Sequence, residues 1–186
     1  MNRLALQQAD IRPGDHVLEI GFGGGGLVAT LVEAGAGTVT GVDVSEAMVK
    51  RARGRFRACG DRVRLHRASA ESLPLADGSV DAAISVNSLY FWPDMEAAFA
   101  ELARVVRPGG GLVLCFEPPE ELRKWPGHRF GFRLLEVGEV KGLMEGAGFR
   151  DVDEAWGTGR KPDRFCCLSA RLGDANGSSD GKPARS

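Results

Sequence analysis

The feature that most constrains this chain is a run of glycines set directly behind a short apolar segment. Val17-Leu18-Glu19-Ile20 leads straight into Gly21-Phe22-Gly23-Gly24-Gly25-Gly26. Val17 to Ile20 follows the turn signal Pro13-Gly14-Asp15 and reads as a strand; Leu27 to Ala34, closed by Gly35 and Gly37, reads as a helix. A glycine loop between strand and helix lets the backbone turn sharply and approach a ligand with no side chain in the way. The helix N-terminus adds free N–H groups. In open α/β sheets, ligands bind at this place, outside the carboxyl end of the strand.

The same alternation continues. Thr38 to Val42 is rich in β-branched residues and predicts a second strand, and Ser45 can cap a helix running to about Arg57. Val63 to His66 and the almost continuously apolar Val80 to Val86 predict strands three and four. Asp94 can cap a helix whose apolar positions, from Met95 to Val106, follow helical spacing. Pro108-Gly109-Gly110-Gly111 stops that helix, and Leu112 to Phe116 predicts strand five. Glu136 to Ala147 reads as a helix, followed by strands near Val152 to Trp156 and Phe165 to Ala170. The turn between those two strands is too short for a helical crossover, which makes them an antiparallel hairpin. The expected fold is α/β: a Rossmann-like, doubly wound, seven-stranded, mostly parallel sheet with a C-terminal antiparallel hairpin.

At 186 residues the chain suits one domain, expected over residues 1–172, with a non-periodic tail over 173–186 that reads as disordered. The net charge of -1 argues against a nucleic-acid footprint and favours a small-molecule substrate. No apolar run spans a bilayer, no secretory signal opens the chain, and a cytoplasmic location is expected. Cys59, Cys115, Cys166 and Cys167 form no C-x-x-C pair, so no metal site is expected. They read as reduced thiols, with the neighbours Cys166 and Cys167 on opposite faces of a strand.

Two carboxylates give the glycine loop its chemistry. Gly21, Gly23 and Gly26 also satisfy the dinucleotide pattern G-x-G-x-x-G, which alone is a weak signal. Glu19, two positions before the first glycine, is costly to bury without a partner, and a ligand carrying an ammonium or sulfonium supplies one. It could instead cap backbone amides. Asp43, ending strand two, can accept hydrogen bonds from both hydroxyls of a ribose, or serve as a turn residue.

These residues resemble the class I S-adenosylmethionine-dependent methyltransferases, specifically the type 11, ubiquinone/menaquinone-biosynthesis-like group. The resemblance extends from about Pro13 to Ala170. It rests on the glycine loop, Gly41-Val42-Asp43-Val44-Ser45 with Met48, Ala70-Glu71-Ser72-Leu73-Pro74-Leu75, Asp77-Gly78-Ser79-Val80-Asp81, and Glu101 to Gly110. It implies S-adenosyl-L-methionine as cofactor. Gly21, Phe22, Gly23 and Gly25 would line its methionine and ribose, Glu19 would sit near its amino group, and Asp43 would hold the ribose hydroxyls. Val44 and Met48 would pack on adenine, Ala70 and Glu71 would flank its edge, and Asn87 would sit near the transferable methyl. Ser69 stands where such families usually carry an acid or amide. Relatives also usually have a longer leading segment over the cofactor. Met1 to Ile11 supplies about three helical turns, which leaves an open pocket, a covering partner or oligomer, or a shortened chain.

On the acceptor side, Ser88, Tyr90, Phe91 and Trp92 follow strand four and could stack on a flat or cationic substrate or pack on the next helix. The loop from Glu117 to Leu135 is the expected specificity element, and its Arg123, Lys124, Arg129 and Arg133 could meet an anion or face solvent. His128 in that loop is the candidate general base. The rival readings are an NAD-binding oxidoreductase fragment and a non-catalytic module binding cofactor or a partner. An arsenite methyltransferase fits less well, because Cys115 and Cys166-Cys167 do not obviously converge.

Overall fold

The computed structural model describes residues 1–125, 131–159 and 164–174. Helix α1 (Asn2–Ala9) precedes strand β1 (His16–Ile20), and helix α2 (Gly26–Glu33) follows the glycine loop. Then come β2 (Thr38–Asp43), α3 (Glu46–Arg55), β3 (Val63–Arg67), β4 (Val80–Val86), α4 (Met95–Val105) and β5 (Val106–Phe116). A single turn of helix, α5 (Pro119–Leu122), leads towards α6 (Val137–Gly146) and the hairpin β6 (Phe149–Thr158) and β7 (Arg164–Leu172). The seven strands form one sheet in the order β3-β2-β1-β4-β5-β7-β6, parallel except where β7 pairs with β5 and β6. This is the doubly wound, mostly parallel sheet with a closing antiparallel hairpin that the alternation predicts.

Strand alternation builds two cores. Leu18 and Ile20 of β1 join Ala83, Leu112, Leu114 and Cys166 under α4 and α6, where Phe99, Leu102 and Met144 are fully buried. Val17, with Val39, Ile84 and Val113, faces the other way, towards α1, α2 and α3. Both faces are covered, which explains the nearly unbroken apolar runs of β1, β4 and β5. The two predicted caps form. Ser45 Oγ accepts from Met48 N (3.4 Å) and Asp94 Oδ1 from Ala97 N (3.0 Å), each worth about 1 kcal/mol.

Two expectations need correction. Strand β5 starts at Val106, ahead of the glycines. Val80 pairs with Val106 and Ala82 with Gly111, so Pro108-Gly109-Gly110 forms a bulge inside the strand instead of a stop before it. Gly110 can sit there because a Cβ would come 2.9 Å from the Asp81 carbonyl oxygen. The cysteines are not all reduced. Cys115 and Cys167 are register partners on β5 and β7, face the same core with Cα atoms 4.1 Å apart, and are joined in a disulfide. Cys59 and Cys166 are free thiols, and Cys166 faces the opposite core from Cys167, as alternation requires. Of the tail, only Gly173 and Asp174 are described, and Gly173 N donates to Gly148 O (3.0 Å).

Candidate functional site

The sheet order reverses between β1 and β4, so the chains leaving their carboxyl ends diverge and open a crevice. The glycine loop forms one wall and Asn87-Ser88 the other. Gly21 stands at the closest approach. Its φ is +74° and a Cβ there would lie 2.2 Å from Ser88 Cβ. Ser88 Oγ donates to the Ile20 carbonyl (3.0 Å) and lies 2.6 Å from Ser85 Oγ, tying the two loops together. At Gly25 (φ +71°) a Cβ would strike the Phe56 ring at 2.7 Å.

Asp43 fastens the loop from the far side. Its Oδ2 accepts from Gly23 N (2.8 Å) and its Oδ1 from Ser45 N (2.9 Å), and charge-assisted bonds of this kind are among the stronger ones. Asp43 therefore fills the turn-residue role that its position allows, and it also lines the crevice. Glu19 lies beneath the loop on the α2 side and is only 4% exposed. Its carboxyl accepts from the Val28 backbone at the start of α2, while Oε2 has no partner. Burial, with Asp43 nearby as a smaller cause, pushes its pKa up to about 8. Near neutral pH it is therefore mostly protonated and short of one hydrogen-bonding partner.

The crevice is a cavity of about 490 Å³. Gly21, Gly23, Asp43, Val44, Ser69, Ala70, Glu71 and Asn87, all expected at the cofactor, line it. Four others stand behind its wall instead. Phe22 is buried against Gly41, Gly25 packs on Phe56, Met48 packs into the core under α3, and Glu19 lies below the loop. Ile20, Val42, Ala68 and Pro93 also line it, although their sequence gives no sign beyond position at strand ends. Ser88 and Trp92, expected on the acceptor side, belong to this cavity, and the Trp92 ring packs on Phe99 of α4 (6.1 Å between centroids).

A second cavity of about 750 Å³ adjoins the first. Tyr90, Phe91 and Glu117, read from the sequence as acceptor-side residues, line it; Asn2, Arg3, Val86, Leu122, Trp125, Phe132, Gly159 and Phe165 complete most of its wall. The start of α1, which packs against β4, β5 and β7, thus contributes to this wall. Asn87 and Phe91 line both cavities. Asn87 has a positive φ of 56°, and its N–H donates to the Cys115 carbonyl (2.9 Å). Asparagine adopts this conformation more readily than most residues, and strained backbone concentrates at working sites. Its Oδ1 accepts from Tyr90 Oη (3.1 Å), its side chain also bonds the Glu117 carboxyl, and the Glu117 N–H donates to Tyr90 Oη. The Glu117 carboxyl is held above the usual range, first by burial and then by the charge of Glu121. Burial also raises the Tyr90 hydroxyl.

His128 and Arg129 lie outside the described residues. Of the remaining loop cations, Lys124 pairs with Glu121 (2.8 Å) and Arg133 with Glu139 (3.4 Å), so both already carry counter-charges. Among the described residues no group of three or more His, Cys, Asp or Glu could hold a metal ion, and no helix is long and apolar enough to cross a membrane.

Residues 18–114 match the model of a family described as "Methyltransferase domain". The chain is 31% identical over 172 residues to "Uncharacterized methyltransferase YdaC" of Bacillus subtilis (strain 168), covering 92% of this chain and 91% of that one. It is 40% identical over 106 residues to the 27-O-demethylrifamycin SV methyltransferase of Amycolatopsis mediterranei (strain S699), covering 56% of this chain and 39% of that one. The chain spans from 32% to 56% of the length of further curated relatives that it matches. Among solved structures, a SAM-dependent methyltransferase from Aquifex aeolicus superposes with a TM-score of 0.76 at 24% identity, over 92% of this chain and 89% of that one.

Proposed function

The chain belongs to the methyltransferase-domain family as a class I, type 11, S-adenosylmethionine-dependent enzyme, and from that premise we propose that it methylates a small-molecule acceptor seated in the second cavity. Family membership removes the NAD-dependent oxidoreductase and the non-catalytic module as readings of the chain. The relative named for 27-O-demethylrifamycin SV supports a small-molecule acceptor.

The residues present fit the cofactor. Gly23 lines the first cavity with open space where a Cβ would stand, and Glu19 Oε2 lies beneath the loop, buried and without a hydrogen-bonding partner. A positively charged ligand above the loop supplies what Glu19 lacks, and its charge favours the ionised carboxylate. Asp43 is placed to accept from the ribose hydroxyls, Val44 to cover adenine, and Ser69, Ala70 and Glu71 to border its edge. When bound, S-adenosylmethionine supplies an electrophilic methyl on a positively charged sulfur. The protein's own contribution is orientation and exclusion of water, and positioning of this kind is worth up to about 7–11 kcal/mol in favourable cases.

One observation carries the reading: the two cavities meet at Asn87 and Phe91, so a methyl donor in the first faces an acceptor in the second. Calorimetric titration with S-adenosylmethionine, followed by transfer of an isotope-labelled methyl to a small-molecule panel, tests it. Wild type should bind the cofactor and label an acceptor. Asp43→Ala should bind it at least about tenfold more weakly, the loss expected for a hydrogen bond to a charged group. Unchanged affinity in Asp43→Ala, or labelling confined to protein or nucleic acid, would count against the proposal.

A further inference from the structure

Three large hydrophobic side chains stand out as exposed among the described residues: Val44 (63%), Phe91 (54%) and Trp125 (53%). All three line the two cavities, Val44 the first, Trp125 the second and Phe91 both. Apolar surface held in water and gathered in one place marks a surface that a ligand covers. In the second cavity that surface is aromatic. The Phe91 and Phe132 rings lie 4.7 Å apart at 59°, and Tyr90 and Phe132 lie 5.7 Å apart at 43°. Tilted rings at these distances present both faces and edges, the arrangement in which one more aromatic ring is best accommodated.

Among the described lining residues Glu117 is the only carboxylate in this cavity. It lies at the end nearest the cofactor cavity, bonded to the side chain of Asn87, which belongs to both. Tyr90 holds the Glu117 main chain and Asn87 its side chain, so the carboxyl is oriented before any acceptor arrives.

We propose that the acceptor is a hydroxyl group carried on a flat aromatic molecule, and that Glu117 takes the hydroxyl proton as the methyl is transferred; this rests on the second cavity seating the acceptor. A carboxylate acceptor would meet Glu117 as a like charge. An alkylammonium would pair with Glu117 but has no free electron pair to give, and a neutral aromatic amine, which leaves Glu117 without a cationic partner, has its pair delocalised into the ring. A hydroxyl donates its hydrogen to the carboxylate and keeps a lone pair for the methyl carbon. In the step, the oxygen–carbon bond forms as the carbon–sulfur bond breaks, and that bonding pair stays on sulfur, which becomes neutral. The hydroxyl proton passes to Glu117. The oxygen's proton becomes strongly acidic as the new bond forms, so a carboxylate is a sufficient acceptor. Burial and the neighbouring Glu121 strengthen Glu117 in this role. The other charged or titratable groups around it are Tyr90, Arg3 and the Met1 amino group at the cavity wall, the last lowered by burial and then by the charge of Arg3, together with Glu121 and the Lys124 paired with it.

The test uses the full chain and three probes of one shape: 1-naphthol, 1-naphthylamine and 1-naphthoate. S-Adenosylhomocysteine binding is measured by calorimetry, probe binding without cofactor by tryptophan fluorescence, and methyl transfer against pH. Wild type should prefer 1-naphthol, with kcat rising with pH through the Glu117 ionisation and then levelling. Glu117→Gln should bind S-adenosylhomocysteine within about twofold of wild type yet lose about 10²–10⁴ in kcat, the usual worth of a general base. The acid limb should vanish in kcat and in cofactor-free 1-naphthol binding, and Glu117→Asp should restore part of both. The proposal fails if Glu117→Gln keeps kcat within threefold or retains the acid limb. It also fails if the amine or the carboxylate is preferred, or if none of the probes is methylated by a wild type that binds S-adenosylhomocysteine. Absence of S-adenosylhomocysteine binding by wild type would overturn the underlying cavity assignment instead.

Discussion

Replacing Glu19 with glutamine should make the fold less sensitive to pH. Burial raises this carboxyl from 4.5 to about 8 in the folded chain. Each tenfold change in proton affinity is worth 1.36 kcal/mol, so charging Glu19 inside the fold is about 5 kcal/mol harder than in the unfolded chain. The folded pKa lies above the unfolded one, so the folded chain holds the extra proton between those values. The stability linked to it is fully present below pH 4.5 and is lost as pH rises to about 8. About 3 kcal/mol of it is gone by pH 7. Glutamine does not titrate. Its own packing and hydrogen-bonding cost is the same at every pH, so the difference between variant and wild type isolates the carboxyl. Urea unfolding at pH 5, 7 and 8.5 without ligand measures this. The variant should gain about 2–3 kcal/mol relative to wild type between pH 5 and 7, and about 1–2 more by pH 8.5. Parallel stability curves, agreeing within about 1 kcal/mol, would refute the claim that Glu19 is buried without a compensating charge.

The other predictions concern the loop, its ligand and the hairpin. Gly21→Ala forces a Cβ into Ser88 at a positive φ and should cost about 2–4 kcal/mol in chemical denaturation, whereas Gly24→Ala, with open space at its Cβ, should stay within about 1 kcal/mol of wild type. If a cationic ligand ionises Glu19, S-adenosylmethionine binding at pH 7 should release close to one proton. Calorimetry in buffers of different ionisation enthalpy should show this in wild type and not in Glu19→Gln. Denatured, unreduced protein should show two reactive thiols, Cys59 and Cys166, and reduction of the Cys115–Cys167 bond should lower stability by up to about 4 kcal/mol on the chain-entropy estimate for its 52-residue separation.

Much of the sheet was legible because each strand and helix declares itself through local periodicity. Val80–Val86 and the start of the Asp94-capped helix are read from the sequence without displacement. The start of β5 was not, because the glycines that stop a helix also permit a bulge, and only pairing with β4 distinguishes the two. The Cys115–Cys167 bond was hidden for the same reason: it depends on the register between β5 and β7, which no local pattern states. At the site, Gly21 and Asp43 were read from the chemistry that a nucleoside demands and Ala70 from the resemblance, and all three line the first cavity. Met48 and Phe22, given to the cofactor by the resemblance, stand behind the cavity wall, Met48 in the core position that amphipathic spacing also allows. Trp125 and Phe165 carried no signal, since a loop aromatic and a strand aromatic become neighbours only when the sheet closes.

The most direct measurement of the central claim is a crystal structure of the chain with S-adenosylhomocysteine. The account predicts the nucleoside in the cavity between the Gly21–Gly23 backbone and Ala70, its ribose hydroxyls on the Asp43 carboxylate, and its sulfur turned towards Asn87 and the second cavity. Ordered ligand elsewhere on the molecule, or an empty crevice at saturating ligand, would contradict it.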